Sequence, residues 1–202
     1  MPEIPIFPLK TVLFPDSRLA LKIFEPRYLD MVANCLREDC FFGIVLIHRG
    51  EETLLNADIH AIGTTASICD WEHRADGLLG ITALGKQRFE IVSTTTQSDG
   101  LVCAEINLLK DEETQSTPEQ YRYMQELLDH IRKQDGGYHD NGPAFTSMIY
   151  QLIDLLPLDN QLKQRLLEVP TAQDRAVVLH AELIRLGIIQ YVKPDTHRPA
   201  NG

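Results

Sequence analysis

The chain has 202 residues, 44% apolar and 24% charged, a balance that suits a globule burying roughly two thirds of its unfolded surface. Its net charge is −10, divided evenly between residues 1–110 and 111–202 with no basic tail or stripe, so nucleic acid is not an expected partner. No apolar run approaches the ~18 residues of a membrane span, Met1-Pro2-Glu3 does not open a secretory signal, and Cys35, Cys40, Cys69 and Cys103 form no Cys-x-x-Cys pair. The expectation is a cytoplasmic protein with reduced cysteines and neither metal nor cofactor.

Residues 1–112 read mostly as strands. Ile4 to Leu9 and Leu19 to Phe24 alternate apolar and polar residues in part, with a proline-punctuated turn at Phe14-Pro15 between them. Glu25-Pro26 starts a helix, because proline's missing N–H has no partner at the first helical position anyway. Tyr28, Met31, Val32, Cys35 and Leu36 then fall on one face. Phe42 to His48 is short and β-branched, which predicts a buried strand. A meander follows: a strand over Ile62 to Trp71, a turn at Arg74-Ala75-Asp76-Gly77, and a strand over Leu78 to Leu84. Gly85 is expected to be a bulge, Arg88 to Thr95 continues the sheet, and Ser98-Asp99-Gly100 turns the chain into Leu101 to Leu109. Antiparallel neighbours joined by Asp-Gly turns predict a small, nearly closed barrel with the Pro26 helix inserted.

The polar run Asp111 to Ser116 marks a boundary, and residues 117–190 read as helices. Thr117-Pro118-Glu119-Gln120 predicts a capping box opening a helix with Tyr121, Met124, Leu128 and Ile131 on one face, ended by Gly136-Gly137 and an exposed loop over 138–143. Phe145, Met148, Ile149, Leu152 and Leu156 form the next stripe, stopped at Pro157. Asp159 caps a short helix through Leu166-Leu167. Thr171 with Asp174 opens the last, which Gly187 ends. Residues 191–202 read as a flexible tail. The fold class is α+β, a strand-rich part followed by a helical bundle.

Catalytic signatures are missing: the chain has no Gly-x-Ser-x-Gly elbow, Ser-x-x-Lys pair, His-Glu-x-x-His or phosphate-binding Gly-x-x-x-x-Gly-Lys-Ser/Thr loop. Asp70-Trp71-Glu72-His73 is the one place where a metal could be imagined. Strand geometry sends Glu72 and His73 to opposite faces, so solvated strand-end charges are the simpler account. Glu25 and Arg27 could recognise an anion at a helix start. A structural role is preferred, with Glu25 aiding the helix N-terminus and Arg27 reaching barrel carbonyls or carboxylates, and Arg88 is read the same way. His48, His60 and His180 read as satisfied core or edge residues. The aromatics Tyr28, Phe41, Trp71 and Phe145 are the candidate walls of a peptide-binding surface, each with a competing role in the core.

Taken together and in order, these segments resemble the N-terminal substrate-binding domain of the Lon protease family. The resemblance rests on the opening Ile6-Phe7-Pro8-Leu9, Phe14-Pro15 and Phe24-Glu25-Pro26-Arg27-Tyr28, on Phe42-Gly43-Ile44-Val45, on Gly63-Thr64, and on Gly85 with Gln87-Arg88-Phe89. Leu155-Leu156-Pro157-Leu158, Lys163-Gln164 and Arg175 carry it into the helical half, from about residue 3 to 190. It implies a pseudo-barrel of the type seen in pseudouridine-synthase-associated modules (PUA-like) over 1–112, joined to a helical subdomain over 117–190. It also implies a stand-alone, non-enzymatic module that binds unfolded or extended polypeptide, with a separate protease as a candidate partner. The motif residues Phe14, Pro15, Phe24, Glu25, Pro26, Arg27, Gly43, Gly63, Thr64, Gly85 and Arg88 are expected to be structural. Two alternatives stand beside this reading: a small-molecule enzyme in the barrel–bundle crevice, and RNA binding through the barrel.

Overall fold

The computed structural model describes residues 2–49, 58–110, 116–134 and 144–189. Among these residues are seven strands: β1 (Glu3–Leu9), β2 (Arg18–Ile23), β3 (Phe42–Arg49), β4 (Asp58–Ile59), β5 (Ile62–His73), β6 (Leu79–Thr96) and β7 (Val102–Leu108). Strands β1, β7, β6, β5 and β3 are successive neighbours, and parallel pairing of β1 with β3 (Ile6–Leu9 on Gly43–Leu46) returns the sheet to its start. The other pairings are antiparallel, so the expected barrel forms with one parallel seam. β2 lies off the ring and pairs with the first part of β6 alone.

Two hairpins share one geometry. Arg74–Leu78 and Gln97–Leu101 each close a five-residue turn, with Asp76 and Asp99 accepting the N–H two residues on and Gly77 and Gly100 at φ of 81° and 86°. A residue without Cβ occupies that region at little cost, which is why Asp-Gly marks the turns.

β6 is continuous through Gly85, and the irregularity falls just after it. Thr64 faces Arg88 and Ala66 faces Gly85, so Lys86 and Gln87 together oppose Thr65. Gly85 is required by a close approach instead. A Cβ there would sit 2.1 Å from the Phe14 carbonyl oxygen. Phe14-Pro15-Asp16-Ser17 forms a turn closed by Ser17 N–H on Phe14 O, with Asp16 at φ 64°, and it is bonded to Gly85 through both Asp16 N–H and Ser17 O. Thr64 Oγ1 donates to Leu13 O at 2.6 Å, anchoring the same segment.

Helix α1 (Pro26–Glu38) covers one end of the barrel and buries Tyr28, Met31, Val32 and Cys35 against Phe7, Ile23, Phe42 and Ile81. A second small cluster centres on Phe89, whose ring leaves no room for a Cβ at Gly43 or Gly63. After a 3₁₀ turn (Glu119–Tyr121) come α2 (Arg122–Gln134), α3 (Phe145–Leu155), α4 (Asn160–Glu168) and α5 (Ala172–Arg185). Their stripes are those expected: Met124, Leu128, Phe145, Met148, Ile149 and Leu152 are fully buried. Asp159 and Thr171 cap α4 and α5 through Leu162 N–H and Asp174 N–H. Gly187 (φ 70°) ends α5, with Gly187 N–H on Ile184 O and Ile188 N–H on Leu183 O.

The expected capping box does not form. Pro118 precedes the 3₁₀ turn and no side chain caps it, since the chain enters that turn before the α-helix begins. The expected stop at Gly136-Gly137, the loop over 138–143 and the tail over 191–202 lie outside the described residues. The helical core also recruits Val12, Phe14 and Leu46 from the strand half, and Phe14 packs 5.6 Å from the Tyr150 ring.

Candidate functional site

Two cavities at the barrel are similar in size and different in chemistry. The first, about 280 Å³, is an apolar groove at the α1 end. It is lined by Phe7 and Leu9 of β1, by the edge of β2, and by Phe24 and Tyr28. Its floor is the Phe7–Tyr28 stack, with ring centroids 4.1 Å apart. Phe24, where β2 passes into α1, is 59% exposed, the most open large apolar side chain among the described residues. The cause is local: Leu19, Leu21 and Ile23 alternate toward the core, and the same parity sends Arg18, Ala20, Lys22 and then Phe24 outward.

Arg27 lies behind this groove, bonded to its lining residue Glu25 and stacked on Tyr28. It is buried, donates to Gly100 O at 2.8 Å, pairs with the Glu25 carboxylate at 2.8 Å and lies over the Tyr28 ring at 4.7 Å. Arg27 thereby ties α1 to the β6–β7 turn. Glu25 occupies the N-cap position of α1 but gives its carboxylate to Arg27, and no side-chain cap forms. Ion pairing outcompetes capping here because the cation is buried beside it.

The second cavity, about 320 Å³, is the crevice between barrel and helices. Lys86, Arg88 and Lys110 line it with Asp16, Thr146 and Tyr150. Arg88 is a strut across that crevice. Its guanidinium donates to the carbonyl oxygens of Leu167 (2.8 Å), Val169 (2.9 Å) and Pro170 (3.1 Å), where α4 ends. Arg175, fully buried, donates to Leu166 O and Val169 O from the other side and stacks 4.3 Å over Tyr150. Two buried cations thus satisfy the C-terminal carbonyls of α4, which no further helical turn could satisfy.

None of the displaced titrations belongs to a residue lining either cavity, although Asp76 faces the groove residue Lys22 at 4.0 Å. Burial pushes the Cys35 thiol up to about 12, helped by Cys40, whose sulfur is 3.1 Å away. Burial likewise raises Tyr123 to about 12 and raises Cys103, while the Leu78 backbone N–H followed by Arg74 holds Asp76 below its usual range.

The four aromatic candidates do not share one surface. Phe145 is buried against Tyr121 in the helical core, because it lies at the apolar edge of α3. Tyr28 is 4% exposed and forms part of the groove floor. Phe41 and Trp71 are open to solvent, with Trp71 edge-on to His73 at 5.7 Å and in register with Ile81. Among the other singled-out residues, Glu72 faces Arg74 at 3.6 Å, His48 faces Asp58, His60 faces Glu168 and His180 bonds Tyr123. The groove itself was not singled out from sequence. Its signal was present in the parity of β2, which separates Phe24 from the buried side of its own strand.

The family model for the ATP-dependent protease La (LON) substrate-binding domain matches residues 3–185. The chain belongs to this family. The Lon substrate-binding domain is non-catalytic, and its role is substrate binding. A crystal structure of a Lon N-terminal domain protein from Xanthomonas campestris superposes with a TM-score of 0.76 at 27% identity, covering 90% of this chain and 98% of that one. The N-terminal domain of a Mycobacterium avium complex Lon protease has the same fold, with a TM-score of 0.57 at 14% identity over 89% of this chain. Among curated proteins, Lon protease 1 of Bdellovibrio bacteriovorus is 26% identical over 87% of this chain and 24% of its own length. Protein cereblon of Gallus gallus is 31% identical over 56% of this chain and 25% of its own. The chain therefore spans about a quarter of the length of the curated relatives it matches. No helix among the described residues is long and apolar enough to cross a membrane.

Proposed function

We propose that this Lon-type domain binds unfolded or extended polypeptide through the apolar groove between β1 and β2. The observation that carries this reading is the pairing of an open Phe24 with a stacked Phe7–Tyr28 floor, an apolar recess at the end of an otherwise closed barrel. Binding there rests on burial of apolar surface at roughly 25 cal/mol per Å², so it tolerates salt. The matched region of a longer Lon protease supports reading the bound polypeptide as one destined for proteolysis by a separate or attached protease. The crevice supports a catalytic or RNA-binding reading less well, because its most buried cation, Arg88, is bonded to three backbone carbonyls.

The test is capture of a reduced, carboxymethylated model protein by the purified chain, measured at low salt and again at about 0.5 M salt. Retained capture at both, weakened fivefold or more by Phe24→Ser with an unchanged melting temperature, is the expected outcome. A wild-type chain that forms no complex at any salt overturns the reading.

A further inference from the structure

Among the described strands, β2 pairs along one edge, with β6. Gly85 N–H donates to Ser17 O at 2.9 Å, and bonded pairs in an antiparallel ladder recur at every second residue. The register then makes Leu19–Ala83, Leu21–Ile81 and Ile23–Leu79 the pairs that exchange bonds. The far side of β6 gives the same phase independently. Arg74 N–H bonds Leu78 O at 3.0 Å, which directs Gly80 and Thr82 toward β5 and leaves Leu79, Ile81 and Ala83 for β2. The backbone N–H and C=O groups of Arg18, Ala20 and Lys22 consequently point away from β6, and no other described strand pairs with them.

Beyond that edge no strand among the described residues continues the barrel wall. β7 meets β1 over Glu3–Ile6 and β6 over Phe89–Thr96. The next walls on either side are the Phe7–Leu9 end of β1 and β2 itself, and both line the apolar groove. An occupant that suits this place must supply backbone donors and acceptors at strand spacing and apolar side chains at alternate positions. An extended polypeptide has both.

Charge narrows the choice. Arg18 and Lys22 stand on the exposed face of β2 on either side of Ala20, and Lys22 also faces the Asp76 carboxylate at 4.0 Å. A second copy of β2 paired antiparallel about Ala20 would set Arg18 against Lys22, like charges directly opposite, which disfavours self-association. An incoming strand with acidic residues at those positions meets opposite charges instead.

We infer that the groove takes its polypeptide as an added strand on the free edge of β2. Apolar side chains enter opposite Leu19 and Leu21, and acidic side chains lie opposite Arg18 and Lys22. This rests on the polypeptide-binding reading above and specifies its mode and its sequence preference.

The probe is a fluorescein-labelled peptide of alternating valine and glutamate, seven residues long, titrated by anisotropy against the full chain. Binding is expected. It falls tenfold or more when the alternate amides along one edge of the peptide are N-methylated, and it is unchanged when those along the other edge are. Ala20→Pro removes an outward N–H while leaving the β6 ladder intact, and it lowers affinity by a similar factor. A lysine-for-glutamate peptide binds at least fivefold more weakly. Equal binding by both methylated series overturns the added-strand mode, and this arm decides alone if Ala20→Pro does not fold. Equal affinity for the lysine and glutamate peptides overturns the charge preference, and a dimer that the peptide does not displace overturns the choice of occupant. Capture of the carboxymethylated protein with no peptide binding removes the strand mode and leaves the binding function standing. Loss of both removes both.

Discussion

The two flanks of the barrel are built from the same strands and finished in opposite ways. On the helix side, β6 sends Arg88 across the crevice, where it and Arg175 close the open carbonyls of α4. Gln164 adds a bond to Ile62 O at 3.0 Å, and Asn160 bonds Lys10 O. On the α1 side, β2 has three residues whose backbone groups turn to an open groove, and Phe24 remains exposed beside them. A buried carbonyl without a donor costs free energy, so the carbonyls at the end of α4 and those of Ile62 and Lys10 take side-chain donors from within the chain. A strand edge left at a groove carries no such cost while water reaches it, and it keeps its bonding capacity for a partner. Bonds on the first flank hold the fold. Those absent from the second are what a ligand would make.

The comparison can be broken first at the strut. Arg88→Met keeps the bulk but strips donors from three carbonyls and should cost about 3 kcal/mol of stability, read by denaturant unfolding. A loss under about 0.5 kcal/mol would mean that water replaces the guanidinium and that the crevice is not sealed. A smaller effect is expected at Gly85. Gly85→Ala forces a Cβ toward the Phe14 carbonyl and should cost about 1–3 kcal/mol, with the melting temperature lowered accordingly. An unchanged midpoint would show that the Phe14–Ser17 turn moves freely against β6. The smallest effect sharpens the picture of the α1 end and leaves stability alone. With Cys35 raised to about 12 by burial, its alkylation at about pH 8 should lag far behind that of exposed Cys69 and rise about tenfold per pH unit. Mass spectrometry of the modified peptides gives the rates, and comparable rates at about pH 8 would mean that α1 opens readily from the barrel.

Much of the architecture was legible in the residues. The Asp-Gly turns, the Pro26 helix start, the Asp159 and Thr171 caps and the Gly187 stop are local signals whose partners lie within a few residues, and each lies where periodicity placed it. Thr117-Pro118-Glu119 misled because a capping box and a 3₁₀ entry share the same residues, and the choice between them depends on how Tyr121 is drawn into the helical core. Gly85 does not carry the bulge expected of it, which falls on Lys86 and Gln87; its neighbour in space is Phe14, 71 positions earlier in the chain. The fold does not bring the four aromatic candidates onto one surface, because exposure cannot be read from residue type. Tyr28 and Phe145 are interior, Phe41 and Trp71 are not, and all four looked alike in sequence.

By itself the order of residues determined that this chain is a strand-rich barrel followed by helices, with the motifs of a Lon-type domain, because periodicity, turns and caps act over short distances. Only the tertiary arrangement decided which arginines became struts and which strand edge went unpaired. Those outcomes depend on where distant segments meet, Arg88 with the end of α4 and β2 with an opening in the wall, and no local pattern encodes that meeting.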